Sequence, residues 1–320
     1  MNSQRNRLHL GVSALALTLG SAVLSAQTAY KYRDANGQWV FTDHAPPAST
    51  SAAQDPQPDS SFSLDRRNET LHMTIERSDN GHTTLFTAIN DCLCIATFQA
   101  KIIRSKDPAI QDGSEYLSLL QPRSQRLLVR VDNAGRSAPD LQYAWRIALG
   151  SPEAKHAPPG PYRVPFAIGS TFMVSQAYPS KFTHTTPDSE YAVDMALPDE
   201  TSIYAARDGV VINVRHDGFR GGLTPAMMDQ ANVVEILHDD GTIAMYAHLH
   251  WDSIRVHIGQ HVHRGEYLAN SGSTGFSSGP HLHFAVLRNN GYTNVSVPIE
   301  FAGPSGISIT PVTDKSLTAY

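Results

Sequence analysis

Short runs of strand-forming residues, separated by turn signals, recur along most of this chain and leave little room for helices. In the first half the alternating or apolar runs cover 71–75, 83–87, 94–103 and 127–131. Alternation with a period of two is typical of strands that bury one side. We therefore predict an all-β chain, with a β-sandwich-like domain over 65–150.

The second half of the chain repeats this pattern with longer apolar runs. The predicted main strands are 210–214, 233–237, 242–248, 254–258 and 281–287. A helical period is missing except near 224–230, where we predict one short helix. The strands therefore predict a second all-β domain, from residue 162 to residue 302.

Composition divides the rest of the chain into shorter segments. Residues 45–63 are rich in Pro, Ser, Ala and Asp, and 151–161 holds four prolines and a glycine, which is typical of linkers. The predicted division is a signal peptide 1–26, a small N-terminal module 27–47, a linker 48–64, the sandwich-like domain 65–150, a linker 151–161, the second domain 162–302 and a C-terminal tail 303–320.

The N-terminus predicts export. Arg5 and Arg7 precede an apolar run over 10–23, which ends in small residues near Ala26. The run is shorter than the roughly 20 apolar residues of a membrane span, so we predict cleavage and no span in the mature protein. Residues 30–43 alternate around an Asn-Gly turn, which predicts a hairpin. This hairpin is similar to a short module of exported Gram-negative proteins.

Charge and cysteine content exclude two classes of protein. The net charge is −5, and no basic cluster is present, so nucleic acid is not an expected partner. Cys92 and Cys94 are the only cysteines, too few for a disulfide scaffold. An extended strand would hold their Cα atoms roughly 6.6 Å apart, so a bridge would need a local kink. We predict small, partly buried residues on a strand.

Histidines are concentrated in the second domain. Ten of the fifteen lie between His184 and His283. His281 and His283 are two positions apart on a predicted strand, so both rings point to the same side. His248 ends an apolar strand, where an unpartnered polar ring would be costly. Five others lie in turn-like contexts and are expected to be exposed: His216, His238, His257, His261 and His263.

Several ordered motifs make the region 162–302 resemble the LytM/lysostaphin-type zinc metallopeptidases, which cut peptide cross-links in bacterial cell walls. The matching segments are Tyr191-Ala192-Val193-Asp194, 204–211, 232–238, Tyr246-Ala247-His248-Leu249, 256–265 and 271–284. The resemblance implies an antiparallel β-sheet core with its site in an open groove. The predicted strands are compatible with that fold.

The resemblance also implies roles for individual residues. Asp194 and His283 would bind one zinc ion, and His248 and His281 would flank the metal and serve in proton transfer. Carboxylate and imidazole ligands suit zinc, and a catalytic zinc keeps three protein ligands and one water. Such a water is a nucleophile near neutral pH, and a neighbouring imidazole can accept its proton.

The first zinc ligand departs from the family pattern and leaves two alternatives. Glu190 stands where the family has a histidine, but on a straight strand it would lie about 13 Å from Asp194. His184 precedes it in a polar, Pro-containing loop that can fold back to the metal. We favour His184 as the third ligand, with Glu190 as the alternative.

The resemblance predicts an exported zinc endopeptidase that hydrolyses stem peptides or cross-links of peptidoglycan, in the periplasm or after secretion. A Gram-negative envelope favours cross-links between D-alanine and diaminopimelate over glycine bridges. One alternative is a non-catalytic regulator that activates a cell-wall amidase, and another is a wall-binding module. The domain 65–150 would either orient the enzyme on its substrate or inhibit it by covering the groove.

Overall fold

The computed structural model describes residues 30–33, 39–42, 71–105, 110–132, 141–180 and 182–320 of the chain. These residues fall into two compact units, Met1–Leu64 and Asp65–Tyr320. The predicted signal peptide, most of the N-terminal module and the linker 48–64 lie outside the described residues. None of the helices in the described ranges has the length and apolar character needed to cross a membrane.

In the first unit, two short strands form the predicted hairpin. β1 (Tyr30–Arg33) pairs antiparallel with β2 (Trp39–Thr42), and Tyr30 lies opposite Thr42. The Asn-Gly turn predicted between the two strands lies outside the described residues.

The second unit begins with two three-stranded antiparallel sheets. Their strands are β3 (Met73–Asp79), β4 (Thr83–Asn90), β5 (Ala96–Ser105), β6 (Glu115–Leu120), β7 (Ser124–Asp132) and β8 (Leu141–Leu149). The sheet orders are β3-β4-β7 and β6-β5-β8. Alternate residues of both sheets, among them Phe86, Phe98 and Ile102, enclose one apolar core. The predicted β-sandwich is therefore confirmed, with β6 and β8 added to the runs found in the sequence.

A nine-stranded sheet dominates the rest of the second unit. This part of the chain contains the nine strands of the large sheet and, between them, the strands of three small two-stranded sheets. In chain order the strands are β9 (Thr171–Gln176), β10 (Val193–Ala196), β11 (Ser202–Tyr204), β12 (Gly209–Arg215), β13 (Gly221–Gly222), β14 (Val233–Leu237), β15 (Ile243–Ala247), β16 (His261–Val262), β17 (Tyr267–Asn270), β18 (Gly275–Phe276), β19 (His281–Asn289), β20 (Asn294–Ser296), β21 (Phe301–Ala302), β22 (Ser308–Ile309) and β23 (Ser316–Thr318). The sheet order is β16-β12-β14-β15-β19-β10-β9-β23, with β20 paired to β19.

The helical content is confined to two 3₁₀ helices, Pro225–Gln230 and Pro304–Gly306, among the described residues. The first coincides with the short helix predicted near 224–230. The predicted strand 254–258 is wrong, because this segment runs as a loop that follows the sheet without a ladder of its own. Its alternating apolar residues are explained by Val256, which packs into the main core.

Residues 303–320, expected as a C-terminal tail, are part of the second unit and pack against its large sheet. β23 pairs antiparallel with β9 at the edge of the large sheet. Leu317 and Ala319 enter the main apolar core.

The two sides of the large sheet have different surroundings. One side carries the main core, which includes Val234, Tyr246 and Phe284. On the other side, Ala285 and Leu287 pack in a separate apolar cluster with residues of the sandwich. His283 lies on this second side, because it is two positions from Ala285 on the same strand.

The cysteines differ from the prediction, because Cys92 and Cys94 form a disulfide. The strand bends between β4 and β5, and the two Cα atoms come to 5.1 Å, closer than an extended chain allows. Asn90 holds this bend: its Oδ1 accepts from the Cys92 amide at 3.0 Å, and its Nδ2 donates to the Cys94 carbonyl at 3.0 Å. The bridged turn packs against the large sheet.

Candidate metal centre and groove

The pairing of two central strands brings the first two predicted ligands together. Asp194 on β10 lies directly opposite His283 on β19. Their side chains meet at 2.9 Å, measured from Asp194 Oδ1 to His283 Nδ1. Opposite residues of an antiparallel pair have adjacent side chains on one face, so the backbone register alone accounts for this contact.

The third predicted ligand comes from the loop that joins β9 to β10. His184 Nε2 lies 3.1 Å from Asp194 Oδ2, on the side of the carboxylate away from His283. One ligand atom from each of His184, Asp194 and His283 lies within 4.8 Å of the others. The structure thus brings together the three residues that the sequence proposes as ligands. Glu190, the alternative first ligand, is not a member of this group.

The His184 ring is buried and makes no well-aligned hydrogen bond. Its side chain is 3% exposed, and neither Nδ1 nor Nε2 forms a well-aligned hydrogen bond with another described residue. Unsatisfied buried nitrogens are costly, and a bound cation would remove that cost at one of them. A tight turn shapes the loop beyond His184, where the amides of Ser189 and Glu190 both donate to the Thr186 carbonyl.

The electrostatics of the group keep its carboxylate ionised. Burial by itself would raise the pKa of Asp194, but contacts with the His184 and His283 imidazoles outweigh burial and hold that pKa well below its usual range. An ionised carboxylate between two imidazoles is the donor set of a catalytic zinc site, with a fourth position left for water. The residues present therefore fit a zinc ion.

The two remaining predicted histidines lie beside the group. The rings of His248 and His281 are 4.5 Å apart, and the His248 ring is 6.0 Å from that of His283. His281 lies at the start of β19, and His248 immediately follows β15. His248 has a φ of 62°, a left-handed conformation that few non-glycine residues adopt, and it turns the chain out of the sheet. Such strain is characteristic of functional positions.

Main-chain carbonyls determine which ring nitrogens of these two histidines carry hydrogen. His248 Nδ1 lies 2.7 Å from the Thr274 carbonyl, and His281 Nδ1 lies 2.9 Å from the Gly279 carbonyl. Carbonyl oxygens only accept, so both Nδ1 atoms donate, and the Nε2 atoms of the neutral rings keep their lone pairs. Both rings are thereby oriented with Nε2 available as a base or acceptor.

The His248 ring is neutral at physiological pH. Burial, together with the neighbouring His281 and His283, lowers the pKa of His248 to about 3, and the Thr274 carbonyl only partly opposes this shift. A neutral imidazole is able to accept a proton.

A groove next to these histidines is lined by four separate parts of the chain. Its volume is about 520 Å³. The lining includes Phe219, Arg220, Trp251, Ser273, Thr274 and Ser277. Thr274 joins the groove to the site, because its carbonyl orients His248.

His238, which was predicted to be exposed, is buried in the domain, and so is Glu235. His238 is only 3% exposed, because Tyr162 from the start of the domain packs over it. The Nδ1 atom of His238 donates to the Asp208 carbonyl at 2.7 Å. Glu235 is 6% exposed and accepts from Asn213 Nδ2 at 2.9 Å, and burial raises its pKa. Glu235 lies within an apolar strand and His238 follows it, and this strand is the only signal in the sequence that indicates their burial. Neither belongs to the metal group.

Comparison with known proteins yields two family matches. Residues 188–295 match Peptidase family M23, and residues 16–63 match a domain of unknown function, DUF4124. The first match contains Asp194, His248, His281 and His283, and it begins after His184.

Individual relatives match over the same part of the chain. The peptidoglycan DD-endopeptidase ShyA of Vibrio cholerae is 37% identical over 94 residues, which are 29% of this chain and 19% of ShyA. The DD-carboxypeptidase/endopeptidase Mpg of Neisseria meningitidis is 34% identical over 113 residues, 35% of this chain and 23% of Mpg. The chain thus spans about a fifth of the length of these curated relatives.

Among solved structures, a mutant catalytic domain of the prophage-encoded M23 protein EnpA from Enterococcus faecalis is 27% identical. The match covers 48% of this chain and 94% of that domain, with a TM-score of 0.30.

Proposed function

Because residues 188–295 belong to peptidase family M23, we propose that the chain is an exported zinc endopeptidase that hydrolyses peptide bonds of bacterial peptidoglycan. The observation that carries the proposal is the ligand group of two imidazoles and a carboxylate within 4.8 Å, with two further imidazoles beside it. A structural zinc site has four protein ligands, whereas three ligands beside a groove suit catalysis.

His184, Asp194 and His283 would hold the zinc ion. When bound, the ion supplies Lewis acidity and lowers the pKa of a bound water to about 7. Asp194 supplies the negative charge of the site, and its low pKa keeps that charge at any physiological pH.

His248 and His281 would move the proton. Their Nε2 atoms are free, because each Nδ1 is tied to a main-chain carbonyl. As water attacks the scissile carbonyl, one imidazole accepts the proton of the water and passes it to the leaving amine when the C–N bond breaks. The other imidazole, once it donates from Nε2, can stabilise the oxyanion.

The substrate class is proposed from the names of the relatives. ShyA is named a peptidoglycan DD-endopeptidase, and Mpg is named a DD-carboxypeptidase/endopeptidase. We propose that this chain is also a DD-endopeptidase and that it cuts between D-alanine and diaminopimelate, in the periplasm or after secretion.

Mass spectrometry of muropeptides provides the test. Purified protein of residues 27–320 would be incubated with purified sacculi, with zinc or with a chelator. We expect cross-linked dimers to be converted into monomers that gain one water, and this conversion to stop with chelator and in His283→Ala. Equal digestion by His283→Ala would contradict the proposal. Protein that binds no zinc and digests nothing, yet accelerates a wall amidase, would instead support the regulator.

A further inference from the structure

The β-sandwich lies against the same face of the large sheet that carries the metal group. On β19, alternation places His281, His283, Ala285 and Leu287 on one side of the strand. The last two belong to the apolar cluster that contains the bridged Cys92–Cys94 turn. Two positions along a strand span about 6.6 Å. The contact zone of the sandwich therefore begins one side-chain step from a proposed zinc ligand.

The neighbouring strands repeat this relation. Next to β10, Ala192 lies two positions before Asp194 and belongs to the cluster of the bridged turn. On β15, Met245 packs against that cluster and lies two positions from Ala247, the residue opposite His283. Three adjacent chain segments thus pass directly from the metal group to the sandwich. The turn 91–94 and its neighbours consequently flank the metal group on the side of Ala285.

Buried amides attach the sandwich to the strand that carries the histidines. Asn289, at the end of β19, is fully buried. Its Nδ2 lies 2.9 Å from Thr97 Oγ1, 3.2 Å from the Ala148 carbonyl and 2.8 Å from the Gly150 carbonyl, all in or just after sandwich strands. Its Oδ1 accepts from the Gly291 amide at 2.7 Å. The Nδ2 end of this amide is therefore satisfied only when the sandwich is in place.

A second asparagine extends the attachment. Asn294 Oδ1 accepts from the Leu149 amide at 2.8 Å, and Asn294 Nδ2 donates to the Leu149 carbonyl at 2.8 Å. The Asn294 side chain thus forms with Leu149, the last residue of β8, the pair of hydrogen bonds that a neighbouring strand would otherwise form. Undocking the sandwich would break these bonds and expose the apolar side chains of the shared cluster at the same time.

We propose that the β-sandwich is a fixed wall that closes one side of the metal group, so that the peptide substrate reaches the group from the side of the groove, and that Asn289 and Asn294 are positioning residues for this wall. The inference rests on the proposed function for its substrate. A removable cover would need a polar, separable junction, whereas this one combines an apolar cluster with side-chain amides bonded to main-chain groups. The wall packs on strand positions that follow His283, whereas residues that line the groove, such as Ser277, precede His281.

Steady-state kinetics on purified cross-linked muropeptide dimers distinguishes a wall from a cover. Asn289→Ala and Asn294→Ala loosen the junction more than 10 Å away from the proposed catalytic residues, as the strand spacing shows. For a wall we expect KM to rise about fivefold in both variants with kcat within about twofold. Asn290→Ala is the matched control, since its side chain accepts only from amides of its own turn at Tyr292 and Thr293. Faster turnover or unchanged KM in both Asn variants would overturn the proposal.

Hydrogen exchange tests the attachment without turnover. In the wild-type protein we expect the Leu149 amide, which donates to Asn294 Oδ1, to exchange as slowly as the amides of β19, and about tenfold faster in Asn289→Ala. Fast exchange of the Leu149 amide in the wild type would mean a detachable domain and would refute the wall. If the wild type binds zinc but digests no muropeptide, the proposed function fails, and the exchange result still decides whether the sandwich is fixed. In the kinetic test, Asn294→Ala serves if Asn289→Ala does not fold.

Discussion

His238 should make the stability of this protein fall as the pH drops below neutrality. Burial lowers the pKa of His238 from 6.5 to about 4, and the hydrogen bond to the Asp208 carbonyl only partly offsets that effect. As the pH falls, His238 therefore binds a proton near pH 6.5 in the unfolded chain but only near pH 4 in the folded chain. Between these values the unfolded state holds more protons, so the free energy of unfolding decreases as the pH falls.

The size of the effect follows from the two pKa values. Between pH 7 and pH 5, a shift from 6.5 to about 4 changes the free energy of unfolding by about 1.8 kcal/mol. The full contribution, reached below pH 4, is about 3 kcal/mol. Buried carboxylates with lowered pKa values, such as Asp240, act in the same direction. The contribution of His238 must therefore be isolated by difference.

The contribution of His238 is isolated by urea unfolding of the wild type and of His238→Asn. Both proteins are unfolded at pH 7 and at pH 5 with chelator present. Asparagine keeps an N–H near the position of Nδ1 but does not titrate. We expect the variant to be less stable at pH 7 and to lose about 1.8 kcal/mol less than the wild type on acidification. Equal losses in the two proteins, within about 0.5 kcal/mol, would refute the assignment of His238 as a buried neutral ring.

Three further predictions concern the site and its support. His184→Ala should weaken zinc binding by about 100-fold, since a zinc site gains about 3 kcal/mol per ligand. Glu190→Ala should change zinc affinity less than about threefold. If calorimetric titration ranks the two variants in the opposite order, the third ligand is Glu190. His248→Ala and His281→Ala should each keep stoichiometric zinc and lose about 10²–10⁴-fold in turnover on muropeptide dimers, and a zinc-free variant would mean that the ring is a ligand. Tyr246→Phe should lower the free energy of unfolding in urea by about 1–3 kcal/mol, because a buried main-chain amide donates to the Tyr246 hydroxyl at 2.8 Å and would lose its acceptor; a change near zero would contradict this role.

Strand positions were predictable where apolar residues alternate and a neighbouring strand is available. The run 233–237 coincides with β14. The run 254–258 has the same alternation, but within it only the Arg255 amide donates to the main chain of a strand, at the Leu268 carbonyl, so no ladder forms. Alternation reports that every second residue is buried, whereas a strand also needs a partner for its main chain.

The histidines of the site were predictable to different degrees. Placing His281 and His283 on one side of a strand requires only the two-residue period. The contribution of His184 depends on a loop that returns to Asp194 across the end of the sheet, and local pattern does not determine that path. His238 was misjudged, because its turn-like neighbours say nothing of Tyr162, which covers it from a distant segment.

The amino-acid sequence by itself determined the all-β character of the chain, the residue types of the metal group and the side of the strand on which His281 and His283 lie, because each follows from chemistry and spacing over a few neighbouring residues. Only the tertiary structure decided that Cys92 and Cys94 meet, that His238 is buried and that the sandwich packs on the face of the sheet that carries the metal group. These features depend on contacts between segments far apart in the chain, such as Asn289 with Thr97, and short-range patterns carry no information about such contacts.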